Sequence, residues 1–506
     1  MRFALTGARM RAVEERVVAE GVATLGELMR RAGAALAAAV SGHAAPGPVV
    51  VACGPGNNGG DGWVAARALH EAGRAVHVYS LVPPEALRAE AAEAAESALA
   101  AGVPFEVAGA AGTPVSFGDA AVIIDALFGI GFHGPMREPA ASAARAIATT
   151  DAYVVSADVP SGVDADTGWA CEHAVRADMT VTFSALKPGL LVYPGAAHAG
   201  TVSVAEIGVP ASMIQATGVL EVPEVADMRA LLPLARPDDH KGTRGRVAIV
   251  AGSRAYAGAA VLAAQGAIRM GVGYVTVVVP EGIANVLHMS LPGVIVRSVP
   301  AAPDGSIARV DAVMSAVDDA DVVVAGPGLT TAPGIGEVVH ALLAGVRVPL
   351  VLDADALNVL RDDALRMERA APLVLTPHPG EAARLLQTDT AAVQADRLAA
   401  AAGIAGGSRV CLLKGARSIV AGPGSRSALV LAGNEGLARA GSGDVLTGML
   451  GGLLGRGLPS FDAALLCAHL HGRAAELGTA RLTEMCFTSA DIAGFLPDAV
   501  REVERG

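Results

Sequence analysis

Lysine is nearly missing from this 506-residue chain: Lys187, Lys241 and Lys414 are the three lysines among 38 basic residues. So strong a preference for arginine reflects genome composition, and a lysine kept against it marks a position worth following. Each of the three is followed by Gly or by Pro-Gly. Positive charge is short overall, with 38 basic against 50 acidic residues and a net charge of −12. No basic run occurs, which argues against a nucleic-acid-binding surface. Aromatics make up 3% of the chain, so no aromatic-interleaved basic patch stands in for one. Cysteine is sparse, five residues with no Cys-x-x-Cys pair. That excludes a disulfide framework and a zinc site, and it fits reduced thiols in a cytoplasmic protein. No uncharged apolar run approaches the ~20 residues that span a bilayer. The first residues lack the apolar segment of a signal peptide, so no membrane partner is expected.

What is present is an alternation of apolar strands, glycine-rich loops and helices, in a chain long enough for two or more domains. Residues 9–19 and 25–40 read as helices. The apolar run 49–53 enters Gly54-Pro-Gly-Asn-Asn-Gly-Gly-Asp-Gly62, with a helix expected over 63–72. Strand, glycine loop and helix form the phosphate-cradling unit of open α/β sheets. Two more apolar runs end in polar loops, at Asp125-Ala-Leu-Phe-Gly129 and at Asp158-Val-Pro-Ser-Gly-Val-Asp164. In a parallel sheet such loops converge on one crevice, which makes a ligand site there the favoured reading over mere helix starts. Asn58, Asp125 and Ser161 offer oxygen ligands with one formal charge, a set suited to a monovalent cation rather than zinc. Asp158 is a candidate proton-transfer group.

These runs, with Met29-Arg-Arg-Ala-Gly33 and Ala185-Leu-Lys-Pro-Gly-Leu-Leu191, resemble the NAD(P)H-hydrate epimerase domain over about residues 5–215. The resemblance implies a Rossmann-like three-layer α/β fold. It also implies interconversion of the R and S epimers of hydrated NADH or NADPH, and bound K+. On that basis Asn57, Asn58, Gly59, Gly60 and Asp61 would contact the hydrated dinucleotide. So would Gly129, Ile130, Gly131, Phe132, His133, Gly134, Pro135 and Asp158. Asn58, Asp125 and Ser161 would hold the potassium ion, and Asp158 would be catalytic. Some members carry Lys where this chain has His133. A proton-transfer role and a packing role both stay open for that ring.

Three prolines and a charge cluster over 215–240 read as a linker with one short helix, placing the domain boundary at 218/219. Beyond it the alternation restarts, and a second mostly parallel three-layer α/β domain is expected. Apolar runs lead into Gly252-Ser, Gly326-Pro-Gly-Leu, Asp353-Ala-Asp, Thr376-Pro-His-Pro-Gly-Glu381 and Lys414-Gly. The stretch from Gly433 to Asp444 carries a glycine-rich loop, then a carboxylate, then an apolar helix over 445–454. Its backbone N–H groups suit an anion, and Lys414 can hold one as a point charge. Asp444 is either a helix N-cap or a base beside a transferred phosphoryl group. His378 between two prolines either faces a ligand or shapes the turn.

The ordered set of these runs resembles the ribokinase-like superfamily and, within it, the NAD(P)H-hydrate dehydratase domain, over nearly all of residues 236–500. The resemblance implies removal of water from the S epimer at the expense of ADP or ATP, with Mg2+ expected alongside the nucleotide. Ala259, Gly328, His378 and Asp444 would contact the hydrated substrate, with Asp444 catalytic. Lys414, Gly415, Ala416, Arg417 and Ser418 would contact the nucleotide, as would Asn434, Gly441, Ser442 and Gly443. Asn434-Glu-Gly-Leu-Ala replaces the usual Asn-Pro-Gly-Met-Ala, and losing that proline is expected to loosen the loop. A homo-oligomer is the expected assembly. Two other readings remain: a small-molecule kinase acting on a vitamin-like alcohol, and a first half that binds a dinucleotide or partner without catalysing.

Overall fold

The computed structural model describes residues 1–43, 46–108, 115–218 and 220–506. The chain divides into two compact units, residues 2–220 and residues 221–506 with Met1. The expected linker includes Val219, which lies outside the described residues. The rest of that stretch carries the helix Val225–Leu231.

In the first unit a short strand, β1 (Arg2–Ala4), precedes the helices Gly7–Ala19 and Leu25–His43. The sheet is built from β2 (Val49–Cys53), β3 (Val76–Ser80), β4 (Phe105–Val107), β5 (Val122–Ala126), β6 (Tyr153–Ala157), β7 (Met179–Phe183) and β8 (Thr201–Ala205). Its order is β4-β3-β2-β5-β6-β7-β8, with every pairing parallel. β2 and β5 are buried along their whole length, because helices cover both faces of a parallel sheet. The strand order reverses between β2 and β5, and a crevice opens there beyond the carboxyl ends of the strands.

The expected helix over 63–72 begins earlier, at Asn57, and runs to Glu71. The glycines of this stretch serve close packing within a helix instead of forming an open loop. A Cβ on Gly59 would lie 2.0 Å from the Gly54 carbonyl oxygen, and one on Gly60 2.6 Å from the Met29 methyl. Residues 84–100 form a 3-10 turn, Pro84–Ala86, and a helix, Ala89–Ala100, separated because Leu87 and Arg88 are extended.

The second unit continues with β9 (Leu220–Val222), β10 (Arg246–Val250), β11 (Tyr274–Pro280), β12 (Ile295–Val299), β13 (Val322–Ala325), β14 (Leu350–Leu352), β15 (Leu373–Leu375), β16 (Arg409–Leu413), β17 (Ile419–Ala421) and β18 (Ser427–Leu429). Its sheet runs β18-β17-β16-β15-β14-β13-β10-β11-β12. The run from β16 to β12 is parallel, and β17 is antiparallel to both its neighbours. Here the order reverses between β10 and β13, which again opens a crevice at the carboxyl edge.

The apolar run after Asp444 lies in the helix Ser442–Gly455, which begins three residues before the expected 445. It packs against the helix Ala257–Arg269 with almost no space between the backbones. A Cβ on Gly448 would lie 1.7 Å from the Ala263 carbonyl oxygen, so only glycine permits that approach. Val445, Met449 and Leu450 are buried in the same core. Dense packing of this kind holds the first turn of the helix, and Asp444 with it, at a fixed place. Among the described residues no helix is long and apolar enough to cross a membrane.

Candidate functional site

In the first unit a cavity of about 420 Å³ lies at the carboxyl edge, over the β2/β5 reversal. Asn57, Asn58, Asp61, Gly129, Ile130, Gly131, Phe132 and Asp158 all line it. Asp158 follows β6 in the left-handed region, φ 63°, a strained conformation for a non-glycine residue that cores rarely hold without a reason. Its Oδ1 accepts from the Phe183 N–H at 3.0 Å, from Thr182 Oγ1 at 3.0 Å and from Lys187 Nζ. Lys187 is fully buried, and its Nζ also donates to the Phe183 carbonyl at 2.9 Å. The site therefore holds a buried ion pair that the residue types alone did not reveal. The scarcity of lysine was the available signal.

Two further carboxyls face this pair. Glu14, on the helix Gly7–Ala19, lines the cavity and makes no hydrogen bond or ion pair among the described residues. Burial first, then repulsion from Asp158, push its pKa up to about 7 against the attraction of Lys187 and Arg11. Burial and the charges of Asp158 and Glu14 hold Asp61 well above the usual carboxylate range. Glu14 and Arg11 carry no local motif and escape a reading of the sequence; only the packing of the first helix brings them to the cavity.

Asp125, at the end of β5, is fully buried. Its Oδ2 accepts from Ser156 Oγ and the Ser161 N–H, both at 2.8 Å, and its Oδ1 from Ser161 Oγ at 2.5 Å. Burial raises its pKa while the hydrogen bonds from Ser161 and Ser156 oppose that rise. Asn58 packs against the loop after β5: its Oδ1 would lie 3.2 Å from a Cβ on Gly129, and its buried Nδ2 has no partner among the described residues. A buried single carboxylate, a serine hydroxyl and an amide oxygen form an all-oxygen donor set of one charge, which fits a monovalent cation.

His133 stands apart from these groups. Its Nδ1 pairs with Asp164 Oδ2 at 2.7 Å, and the ring is more than half exposed. With Pro135 it lines a neighbouring cavity of about 370 Å³ that also takes in Phe132 and Gly131. Gly134 follows in the left-handed region.

In the second unit the loops after β13, β14, β15 and β16 carry the sequence candidates to one edge. Lys414 Nζ donates to Asp353 Oδ1 at 2.5 Å and lies 3.9 Å from Glu381 Oε2. Asp353 is buried, and its Oδ2 accepts from Thr447 Oγ1 at 2.5 Å. Burial lowers the Lys414 pKa, but Asp353, Glu381 and Asp444 outweigh it and hold the ammonium charged. Asp444 is the third residue of its helix and makes no side-chain cap; Gly441, left-handed at φ 91°, precedes that helix. Burial first, then Asp353, push the Asp444 pKa up to about 7, against Lys414. Glu381 is likewise pushed up to about 7 by burial, with Lys414 opposing.

Gly443 touches this cluster: a Cβ there would lie 3.4 Å from Lys414 Nζ. Gly328 meets Ala259, whose Cβ would lie 2.9 Å from one on the glycine, so those two candidates share one spot. His378 caps the helix Pro379–Leu385, its Nδ1 accepting from the Gly380 N–H at 3.0 Å, while its Nε2 lies 3.4 Å from Glu381 Oε1. Burial, with Lys414 and Arg384, lowers its pKa. The Ala416 carbonyl accepts from Arg397 at 2.6 Å, and Gly415 packs on the same guanidinium. Arg417 is left-handed, and the Ser418 carbonyl accepts from the Val430 N–H at 2.9 Å.

The loop missing its proline is tied down by side chains instead. The Gly433 N–H donates to Glu476 Oε1 at 2.6 Å, and Asn434 Nδ2 to Thr479 Oγ1 at 2.7 Å. His471, pushed down to about 4 by burial, donates from Nε2 to the Ser442 carbonyl at 2.9 Å.

Comparison with known proteins agrees with the division into two halves. Residues 25–189 match the family model described as YjeF-related protein N-terminus, and residues 247–497 the model for NAD(P)H-hydrate dehydratase. The bifunctional NAD(P)H-hydrate repair enzyme Nnr of Moorella thermoacetica is 39% identical over 472 residues, covering 92% of this chain and 89% of the relative. The chain belongs to the bifunctional NAD(P)H-hydrate repair enzymes. A member from Escherichia coli is 35% identical over 474 residues, with 93% of this chain and 88% of the relative covered. Among solved structures, the ADP/ATP-dependent NAD(P)H-hydrate dehydratase of Bacillus subtilis is 29% identical and covers 56% of this chain and 99% of its own, at a TM-score of 0.49.

Proposed function

We propose that residues 1–218 epimerise hydrated NADH and NADPH at C6, and that residues 219–506 dehydrate the S form with ADP or ATP as phosphoryl donor. The observation that carries this reading is the pair of clusters just described. Each sets a carboxyl titrating near neutrality beside a lysine–aspartate pair, buried in the first unit and partly buried in the second, at the carboxyl edge of a parallel sheet. Those are the positions and pKa values that proton transfer at neutral pH requires.

In the first unit, epimerisation needs the C6 hydroxyl to lose a proton and the ring to be protonated where the C6 bond opens. Asp158, paired with Lys187, takes the first role and Glu14 the second; the C6–N1 bond opens to an aldehyde and recloses on its other face as both protons return. The oxygens of Asp125, Ser161 and Asn58 would hold K+, which would neutralise the buried carboxylate and fix the loops after β5 and β6. In the second unit Asp444 removes the proton of the C6 hydroxyl. The oxygen attacks the terminal phosphorus of the magnesium-bound nucleotide, and the bond to the leaving nucleotide breaks. Phosphate then departs from C6 and takes up the proton that C5 gives up, which restores the ring double bond. Lys414 and the backbone N–H groups at Gly441, Ser442 and Gly443 stabilise the phosphoryl charge. All five cysteines are free, and the proposal places the enzyme in the reducing cytoplasm.

The test is incubation of a mixed R and S hydrate with ADP or ATP, following the return of reduced-nicotinamide absorbance. Full recovery requires both halves. Acid-quenched single turnovers should contain a phosphorylated hydrate. Water loss without nucleotide hydrolysis would overturn the dehydratase mechanism, and accumulation of a stable phosphorylated alcohol would mark a kinase instead.

A further inference from the structure

Beside the dehydratase cluster lies a second cavity, of about 740 Å³, lined by Thr331, Asn358, Arg361, Asp362, Arg384 and Gln387. None of these residues belongs to the chemistry above. They come from the loop after β13 and from the short helices Asp355–Leu360 and Pro379–Leu385 with the residues that follow them, in the segments after β14 and β15 that also carry Asp353 and His378. The cavity is therefore the outward continuation of the carboxyl-edge crevice.

Its charge is positive where a ligand would lie. Asp362 is spent on Arg366 at 2.5 Å and on the Gln387 amide at 2.5 Å. Arg384 is aimed by a single hydrogen bond from its Nη1 to Asn358 Oδ1 at 2.8 Å, and Asn358 in turn donates to Asp355 Oδ1 at 3.4 Å. Its remaining N–H groups have no partner among the described residues. The Arg361 side chain makes no hydrogen bond or ion pair among the described residues, and its backbone, left-handed at φ 48°, ends the helix Asp355–Leu360 with its N–H on the Leu357 carbonyl. Two guanidiniums with open donors at one polar cavity are a match for a phosphate group. Arg384 is also near enough to the reaction centre for its charge to lower the His378 pKa.

We propose that Arg361 and Arg384 form a phosphate subsite for the hydrated dinucleotide on the dehydratase half. The inference rests on the function proposed above, because a dinucleotide whose ring lies at His378 and Asp444 must carry its phosphates outward. Two phosphates could reach the subsite: the 2′-phosphate of the NADPH form, or the pyrophosphate common to both forms.

The experiment measures KM for NADPH hydrate, NADH hydrate and ADP in the full-length wild type, in Arg384→Gln and in Arg361→Gln. Both side chains are exposed, and thermal melting checks that the variants fold. A rise of about tenfold or more in KM for NADPH hydrate alone assigns the 2′-phosphate, and an equal rise for both hydrates assigns the pyrophosphate. Arg384→Lys should recover part of the loss. Unchanged hydrate KM values, or a rise confined to ADP, would overturn the subsite. A wild type that fails to dehydrate either hydrate would instead overturn the underlying function. Binding of NADP+ against NAD+ by calorimetry gives a readout independent of turnover.

Discussion

Lys414 Nζ lies 2.5 Å from Asp353 Oδ1, and both partners of this pair act on the Asp444 carboxyl, Asp353 by repulsion and Lys414 by attraction. In the wild type kcat/KM for dehydration should fall about tenfold per pH unit below about 7, as Asp444 becomes protonated. Asp353→Asn removes the repulsion and frees Lys414 to face Asp444, so the acid limb should move to lower pH. A limb that stays in place would show that Asp444 is not the titrating base. Breaking the partly buried pair should also lower stability, read by denaturant melting.

Asp444→Asn keeps the size and most of the hydrogen bonding of the side chain but cannot accept the proton. Dehydration should drop by about 10²–10⁴-fold, while ADP affinity by calorimetry and exchange between the epimers stay near wild type. A variant that still dehydrates within tenfold of wild type would reduce Asp444 to a structural residue.

Asp158→Asn should silence the first half alone. With a mixed hydrate and ADP, reduced-nicotinamide absorbance would return quickly for the S form and then stall at about half. Recovery of both epimers at the wild-type rate would remove Asp158 from the chemistry.

Glu14 carries the opposite signature in stability. Its pKa is raised from 4.5 to about 7 in the folded state, so the fold binds that proton more tightly than the unfolded chain does. The stabilisation is fully present below pH 4.5 and is lost as pH rises through about 7. Glu14→Gln should therefore raise stability at pH 8 by about 1–2 kcal/mol, after allowance for screening, and change little at pH 5. Epimerisation should slow in the same variant. Equal melting shifts at both pH values would contradict the burial of this carboxyl.

Potassium should raise the melting temperature of the wild type relative to a bulky organic cation at equal ionic strength. Asp125→Asn, which keeps the shape and removes the charge, should abolish that difference. A response that persists in the variant would place the ion elsewhere.

Much of this molecule is legible along the chain. Apolar runs such as Val49–Cys53, buried on both faces, can belong only to a covered parallel sheet, and each run ending in Asp, Gly or Lys marks a carboxyl-edge loop. That order of strands and loops points to both proposed sites and singles out Asp125, Asp158, Lys414 and Asp444 as candidates. Tertiary structure decided what those residues face. Glu14 and Asp158 are 144 positions apart in sequence, and packing of the first helix alone brings both to one cavity. Asp353, Glu381 and Lys414 come from three different strand ends, so the pairing that holds Asp444 near neutrality depends on their register in the sheet. Even the glycines of residues 54–62 divide this way. The sequence determines that backbone must come close there, and only the packed structure shows that Gly59 and Gly60 meet Gly54 and Met29 inside a helix.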